Sequence, residues 1–357
     1  MSGIKDKRKF SENQRVANFP YSIEVDAWKV YWDSLLCKKE YIGENDCVIE
    51  CCENLINNSV IEGFWSRNIP KTIRSNESFI ELACGSGSVI RRIYSYACSI
   101  EQGALIVAAD ISLKALMFAK HKFPMVKYVV FDLNNIPIKN ETFDYVTSQF
   151  GIEYGGEKSI INSLKLVNMG GIFAGIFHVS GGAIEEECLS NQESINNLLE
   201  SNIFEFARTA ISRKISYLKG ECNRECLRKA HDQFLSSYRT IEEAIAGRQA
   251  IGANPPADKH IYDAVSQIIN IYNNLSKFGN LNNILKVISF IEKQFISYMA
   301  RMSSMVQSSL GDSTINDIKN FMDCQGFEYE IDKIYLSEND HKPFALTLVA
   351  NRINKYK

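Results

Sequence analysis

Residues 79–87 read FIELACGSG, an apolar run that carries one acid, Glu81, and leads into two glycines. A continuous apolar run predicts a strand that is buried on both faces. Gly85 and Gly87 follow directly, and the apolar spacing of residues 89–98 then predicts a helix. Glycines between a strand and a helix let the backbone approach a ligand closely and direct free N–H groups toward it. This stretch therefore predicts a ligand-binding turn.

Two common nucleotide sites do not fit this turn. A phosphate-binding P-loop requires a lysine followed by serine or threonine directly after the second glycine of its motif, and no such pair stands there. A dinucleotide site requires a third glycine three residues after Gly87, where the chain has Ile90. The remaining class of site places an acid at the end of the strand, before the glycines, and here that acid is Glu81.

The same pattern of an apolar run followed by a helix repeats along the chain. Further strands are predicted at residues 103–112, 126–135, 143–150 and 170–180. The first two of these runs end in the acids Asp110 and Asp132. Continuous apolar strands separated by helices are typical of an α/β protein with a doubly wound parallel sheet, which binds ligands at the carboxyl ends of its strands.

The flanking segments are mainly helical. We expect residues 1–72 to form a tail and a helical lid, and residues 73–183 to form the core of the sheet. Residues 184–310 show helical spacing without a convincing strand, which predicts a helical insertion that covers the substrate or forms a dimer. Residues 311–357 add a helix and two final strands joined by a polar hairpin, which complete the core.

Taken together, the glycine motif, the strands ending in Asp110 and Asp132, and the stretch 143–154 resemble a class I S-adenosylmethionine-dependent methyltransferase. The two final strands are similar to the reversed last strand of that family. The resemblance implies a Rossmann-like, seven-stranded, mostly parallel sheet with an antiparallel last strand, and S-adenosylmethionine as the cofactor. Ala83 stands where the family has the first of three alternate glycines, and we expect this alanine to adopt a negative φ.

The resemblance also implies roles for individual residues. Glu81 would act through the glycine loop on the cofactor's ammonium group, Asp110 would accept hydrogen bonds from the ribose hydroxyls, and Asp132 would accept one from the adenine amine. The alternative for the two aspartates is that they cap the helices that follow them. The residues implied for cofactor binding are Glu81, Ala83, Cys84, Gly85, Gly87, Asp110, Ile111, Asp132, Leu133, Gln149 and Phe150.

Three residues near the carboxyl edge of the predicted sheet are candidates for catalysis. Methyl transfer requires a nucleophile held against the methyl group in a dry pocket, and a general base only if that nucleophile arrives protonated. His178 lies at the end of the fifth strand, and an imidazole can accept a proton near neutral pH. The alternative is a histidine that only donates to a backbone carbonyl. Glu153 and Tyr154 follow the fourth strand, where they would assist catalysis, recognise an amine or cap the next helix.

The acceptor is predicted from charge and organisation. The net charge of −2 gives no global attraction to nucleic acid, and the insertion would enclose the pocket, so we expect O- or N-methylation of a small or medium-sized metabolite in biosynthesis. Trp28, Tyr31 and Trp32 would complete the substrate lid or pack in the core. The alternatives are methylation of RNA or protein, and a non-catalytic S-adenosylmethionine-binding partner. A homodimer would use the insertion. Basic residues that would favour RNA are Arg213, Lys214, Lys219, Arg224, Arg228 and Lys229.

Several features argue for a cytoplasmic protein. No apolar stretch approaches the roughly 20 residues that span a membrane, and the N-terminal residues are charged rather than apolar. The ten cysteines are scattered without the paired spacing of a zinc site, which predicts reduced thiols and no metal.

Overall fold

The computed structural model describes residues 27, 28, 30, 31, 59–97, 99–278, 280–337 and 340–353. The helices predicted within residues 22–58 lie almost wholly outside this range, as does Trp32. In that segment Ala27, Trp28, Val30 and Tyr31 have helical backbone conformation.

The chain forms a seven-stranded sheet with the strand order β5-β4-β2-β6-β7-β9-β8, and a separate parallel pair of short strands, β1 and β3. In chain order the strands are β1 (Thr72–Ile73), β2 (Ser78–Leu82), β3 (Ser99–Ile100), β4 (Leu105–Asp110), β5 (Lys127–Val130), β6 (Phe143–Gln149), β7 (Val167–Phe177), β8 (Phe327–Ile334) and β9 (Ala345–Arg352).

The directions of the strands confirm the predicted fold class. β2 runs parallel to β4 and β6, β4 is parallel to β5, and β6 is parallel to β7. β9 is antiparallel to both β7 and β8. The chain builds outward from β2 to β4 and β5 and then returns to β6 on the other side of β2. This reversal makes the carboxyl ends of β2 and β6 the topological switch point, the position where such sheets bind ligands.

Ten helices are described. They are α1 (Ser59–Asn68), α2 (Ser88–Tyr96), α3 (Leu113–Lys122), α4 (Gly156–Lys165), α5 (Ala183–Glu200), α6 (Ile203–Leu218), α7 (Arg224–Ala250), α8 (Pro256–Asn273), α9 (Leu281–Ser308) and α10 (Asp312–Gln325). None of these described helices is long and apolar enough to cross a membrane.

Two apolar cores cover the two faces of the sheet. Successive residues of β2 point to opposite faces, so Phe79 belongs to the core that contains Trp65 of α1, and Ile80 belongs to the core that contains Ile160 of α4 and Ile318 of α10. Burial on both faces explains why β2 reads as a continuous apolar run.

The insertion is helical throughout its described residues, α5 to α9, and shares its apolar core with the first face of the sheet. Its end is tied to the carboxyl end of β7. The Leu310 N–H donates to the His178 carbonyl at 2.9 Å, and the Ser180 N–H donates to the Leu310 carbonyl at 3.1 Å. These bonds fix the end of the insertion next to the carboxyl edge of the sheet.

Candidate functional site

The loop after β2 contains three alternate residues in the left-handed region. Ala83 has φ 50°, Gly85 has φ 52° and Gly87 has φ 85°. The predicted negative φ of Ala83 is therefore wrong. Local sterics disfavour this conformation for alanine by about 1–2 kcal/mol, but the bonds around the loop impose it. The Cys84 N–H donates to the Ala109 carbonyl at 3.0 Å, and the Gly87 N–H donates to the Cys84 carbonyl at 2.8 Å.

The loop after β6 makes room for the side chain of Ala83. Gly151 lies so close that a Cβ atom at this position would stand 2.4 Å from the Cβ atom of Ala83 and 3.2 Å from its carbonyl oxygen. Real Cβ atoms do not approach each other to 2.4 Å, so the methyl group of Ala83 fits here because position 151 is a glycine. The ends of β2 and β6 thus meet through one pair of small residues.

Glu81 holds the start of helix α2. Its Oε1 accepts from the Val89 N–H at 2.9 Å, its Oε2 accepts from the Ile90 N–H at 2.8 Å, and the Ser88 hydroxyl donates to Oε1 at 3.2 Å. These N–H groups lack carbonyl partners at a helix start, so the carboxylate satisfies them. Burial raises the pKa of Glu81 to about 7, although the N–H donors act in the opposite direction. The role of Glu81 toward a ligand, through the glycine loop, stays a prediction.

Asp110 connects the end of β4 to the glycine loop. Its Oδ2 accepts from the Gly85 N–H at 2.9 Å and its Oδ1 accepts from the Ser112 N–H at 2.8 Å. Burial raises the pKa of Asp110 above its ordinary value. The residue that caps α3 is Ser112, whose Oγ accepts from the Ala115 N–H at 3.2 Å. The alternative of Asp110 as the helix cap is therefore wrong, and its role toward a ribose stays a prediction.

Asp132 lies two residues beyond the end of β5 and caps the short 3₁₀ helix Leu133–Asn135. Its Oδ1 accepts from the Asn134 N–H at 2.8 Å. Asp132 is therefore a helix cap, which was the alternative to a ligand-binding role. Its role toward adenine stays a prediction. Ile111 is 38% exposed beside the end of β4, where its predicted contact with a ligand is open.

Gln149, at the end of β6, points toward helices α1 and α2. Its Oε1 accepts from Trp65 Nε1 at 2.7 Å and from Arg92 Nη1 at 3.3 Å. Arg92 also donates to Glu62 Oε1 at 2.7 Å, and the Tyr96 hydroxyl donates to Glu62 Oε2. Burial raises the pKa of Glu62, but the bonds from Tyr96 and Arg92 outweigh it and leave the pKa below its ordinary value.

This network behind Gln149 was not predicted from the sequence. Trp65, Arg92 and Glu62 lie on helices without a motif, and an arginine on a helix is ordinarily solvent-exposed. The one available signal is the pattern of apolar residues in α2, which places Arg92 between the buried residues Val89 and Ile93.

His178 and Glu153 form a buried pair. His178 Nδ1 lies 2.8 Å from Glu153 Oε1, and the backbone N–H of His178 donates to the same oxygen at 3.2 Å. Because a carboxylate only accepts, Nδ1 carries the proton and Nε2 is the basic nitrogen of the ring. Glu153 Oε2 is buried and has no hydrogen-bond partner within the described part of the chain. The arrangement is that of a base oriented by an acid.

Aromatic rings surround this pair. The ring centroid of Phe150 lies 4.7 Å from that of His178, and the Tyr154 ring lies 5.7 Å from it. The ring centroid of Trp28 lies 5.6 Å from that of Tyr154 and 5.8 Å from that of Tyr31. The structure therefore brings together the candidates His178, Glu153 and Tyr154, places Trp28 beside them, and joins Tyr31 through Trp28. Trp32 lies outside the described residues.

Residues 79–168 match the family model described as a methyltransferase domain. The chain contains a class I methyltransferase domain. This match, together with the strand order β5-β4-β2-β6-β7-β9-β8, confirms the predicted family and its cofactor, S-adenosylmethionine.

Two curated proteins are similar to this chain over part of its length. A demethylmenaquinone methyltransferase from Streptomyces griseus is 30% identical over 90 residues, which cover 25% of this chain and 36% of the relative. A malonyl-[acyl-carrier protein] O-methyltransferase from Pseudescherichia vulneris is 23% identical over 171 residues, which cover 47% of this chain and 64% of the relative. The chain thus spans less than two thirds of either relative.

A solved S-adenosylmethionine-dependent methyltransferase from Mesorhizobium loti is 18% identical and superposes with a TM-score of 0.28. The match covers 32% of this chain and 51% of the solved one.

Helix α9 of the insertion packs against Ala27 and Tyr31, next to the methyltransferase domain. The Ser297 hydroxyl donates to the Ala27 carbonyl at 3.0 Å, and the buried guanidinium of Arg301 lies 4.5 Å from the Tyr31 ring centroid. Phe344, in the loop before β9, lies 6.1 Å from Phe150. Sequence analysis did not identify Arg301 or Phe344, because neither stands in a motif.

Two of the basic residues of the insertion make contacts within the protein. Lys214 donates to the Tyr272 carbonyl at 2.7 Å and its ammonium lies over the Tyr272 ring, while Arg228 pairs with Asp232 at 3.6 Å. No group of three or more potential metal ligands occurs among the residues that the structure describes.

Proposed function

We propose that this protein transfers the methyl group of S-adenosylmethionine to a small or medium-sized metabolite, by O- or N-methylation. The buried pair of His178 and Glu153, with its Nδ1–Oε1 distance of 2.8 Å, carries this proposal. The pair follows β6 and β7, and the loop after β6 contacts the glycine loop through Gly151 and Ala83. These contacts support a proton acceptor beside the loop to which we assign the cofactor.

The glycine loop fits the cofactor. Its three left-handed positions carry a methyl group at most, which allows a ligand to approach the backbone closely, although the N–H groups of Cys84, Gly85 and Gly87 donate within the protein rather than being free as predicted. S-adenosylmethionine supplies an activated methyl group on a sulfonium when bound. We assign the methionine end to the backbone of Ala83, Cys84, Gly85 and Gly87, with Glu81 acting through the loop. The nucleoside and the sulfonium are assigned to Asp110, Ile111, Asp132, Leu133, Gln149 and Phe150.

The residues of the pocket divide the remaining work. His178 Nε2 accepts the proton that the acceptor loses, while Glu153 keeps the proton on Nδ1 and stabilises the imidazolium that forms. Tyr154 and the rings around the pair exclude water, which strengthens the electrostatic interactions of the transition state. We assign helix α9, with Ala27 and Tyr31 that it contacts, to the cover of this pocket.

The first experiment separates binding from turnover. S-adenosylhomocysteine affinity is measured by calorimetry, and its formation from S-adenosylmethionine is followed by mass spectrometry with a small-molecule extract as acceptor. We expect His178→Asn to keep the affinity and to lower turnover about 10²–10⁴-fold, the contribution of a general base. His121→Asn, on the exposed end of α3, is the matched control.

Two outcomes would contradict the proposal. Full turnover of the His178→Asn variant would remove the base from the mechanism. Binding of S-adenosylmethionine without turnover in any extract would instead favour a non-catalytic partner protein.

The ribose assignment is tested separately. Asp110→Asn keeps the shape of the side chain and removes its charge, so we expect S-adenosylhomocysteine to bind about 10–100-fold more weakly, the value of a charged hydrogen bond. Asp317→Asn, on the exposed face of α10, is the control. An unchanged affinity in the Asp110→Asn variant would show that this carboxylate serves only the protein's own N–H groups.

A further inference from the structure

One oxygen of the buried Glu153 carboxylate has no partner. Oε1 accepts from His178 twice, through Nδ1 and through the backbone N–H, whereas Oε2 is buried without a hydrogen bond among the residues that the structure describes. A buried, unsatisfied carboxylate oxygen is costly, and in native structures a water, an ion or a functional role accounts for such an atom. Glu153 is therefore a place where a donor from outside the chain can bind.

The charge of the His178–Glu153 pair indicates which class of donor would bind to Oε2. A neutral imidazole donates a hydrogen bond to Glu153 without cancelling its negative charge. With a neutral imidazole this pair carries one net negative charge, and a cationic donor would both satisfy Oε2 and neutralise the carboxylate. A neutral alcohol would supply the hydrogen bond alone, and a carboxylate acceptor would be repelled.

The rings around the pair favour the same chemistry. Phe150 and Tyr154 contact the imidazole, and Trp28 contacts Tyr154. Aromatic faces attract organic cations, and a carboxylate surrounded by rings is a recurrent recognition site for ammonium groups. On these three observations, we propose that the methyl acceptor is an amine, which binds as its ammonium to Glu153 Oε2 within the rings of Phe150, Tyr154 and Trp28. This inference rests on the proposed function.

The reaction balances with the residues present. The ammonium gives one proton to His178 Nε2 and becomes a neutral amine with a free electron pair. That pair forms the new N–C bond to the methyl group, while the S–C bond breaks and its electron pair stays on sulfur, which yields neutral S-adenosylhomocysteine. The methylated amine leaves as a cation, and the imidazolium returns its proton to water.

The experiment is a binding comparison that needs no turnover. Protein saturated with S-adenosylhomocysteine is titrated by calorimetry with 2-phenylethylamine, 2-phenylethanol and phenylacetate, and with the smaller pair ethylamine and ethanol. In at least one of the two amine–alcohol comparisons we expect the amine to bind about tenfold or more tightly than its alcohol, as a charged hydrogen bond and cation–π contacts allow. Phenylacetate should bind most weakly of the three phenyl compounds.

Two variants test whether the amine binds to the Glu153 carboxylate. Glu153→Gln should weaken amine binding about tenfold or more and leave alcohol binding unchanged, since it removes the charge but keeps the size. Glu157→Gln, an exposed carboxylate four residues further along, should change neither affinity. If Glu153→Gln does not fold, the amine-to-alcohol ratio of the unaltered protein still decides the question.

The outcomes distinguish the two proposals. If S-adenosylhomocysteine itself does not bind, the proposed function fails. If it binds but no amine exceeds its alcohol, or the preference survives Glu153→Gln, the amine inference alone is overturned.

Discussion

The contact between Gly151 and Ala83 allows a sharp test of the loop geometry. Replacing Gly151 with alanine would place two Cβ atoms 2.4 Å apart, at the point where the loops after β2 and β6 meet. Overpacking of this kind costs about 1–3 kcal/mol, and both neighbours here are backbone-anchored atoms that cannot rotate away. We expect Gly151→Ala to lower the free energy of unfolding by about 2–3 kcal/mol.

The partner change should be close to neutral. Ala83→Gly relieves a left-handed alanine, which is worth about 1–2 kcal/mol, but it adds about 0.4–1 kcal/mol of unfolded-chain entropy. In the double variant the 2.4 Å contact is gone, and a Cβ atom at position 151 meets the Ala83 carbonyl oxygen at 3.2 Å and Ser148 Oγ at 3.3 Å. The two changes should therefore be coupled by about 1–2 kcal/mol.

Urea unfolding of the four proteins measures this coupling. Gly311→Ala is the matched control, because Gly311 has φ −90° and a Cβ atom there would meet nothing within 4 Å. It should cost little and add independently to Ala83→Gly. Additivity of Gly151→Ala and Ala83→Gly within about 0.5 kcal/mol would refute the proposed contact.

Two further predictions concern buried charges. Arg92→Met leaves Glu62 without its buried partner and should lower the free energy of unfolding by about 3 kcal/mol. Arg91→Met removes an exposed bond to the same carboxylate at 3.2 Å and should lower the free energy of unfolding by under about 1 kcal/mol. Equal losses for the two variants in urea unfolding would contradict this prediction. The raised pKa of Glu81, about 7, means that the folded state binds the extra proton, so the stability this group contributes is present below pH 4.5 and is lost as pH rises through 7. Between pH 5 and pH 8 the unaltered protein should lose about 2–3 kcal/mol relative to Glu81→Gln, and parallel pH profiles of the two proteins would show that the carboxyl titrates normally.

The sequence by itself determined the sheet. The strands β2, β4, β6 and β7 are buried between two layers of helices, so they must read as apolar runs, and their alternation with helical spacing leaves few topologies for a parallel sheet. The helix at residues 312–325 and the two final strands were predicted for the same reason, because their patterns are local.

Elements of the site that depend on local chain order were predicted as well. A glycine turn between a strand and a helix, and polar residues at the ends of successive strands, are visible as letters in sequence. His178 and Glu153 were both identified because His178 lies at the end of one predicted strand and Glu153 lies three residues beyond another. Their hydrogen bond joins positions 25 residues apart in the chain.

Only the tertiary structure decided how these residues are used. The rule for a lone alanine predicts a negative φ at Ala83, but Asp110, 25 residues away from Gly85, holds the loop by accepting its N–H, and Gly151 leaves room for the methyl group. Gln149 points to Trp65 rather than along the strand edge for a similar reason, since a helix that precedes the sheet supplies its donor. Hydrogen bonds and excluded volume act between neighbours in space, and a sequence states only which neighbours lie along the chain.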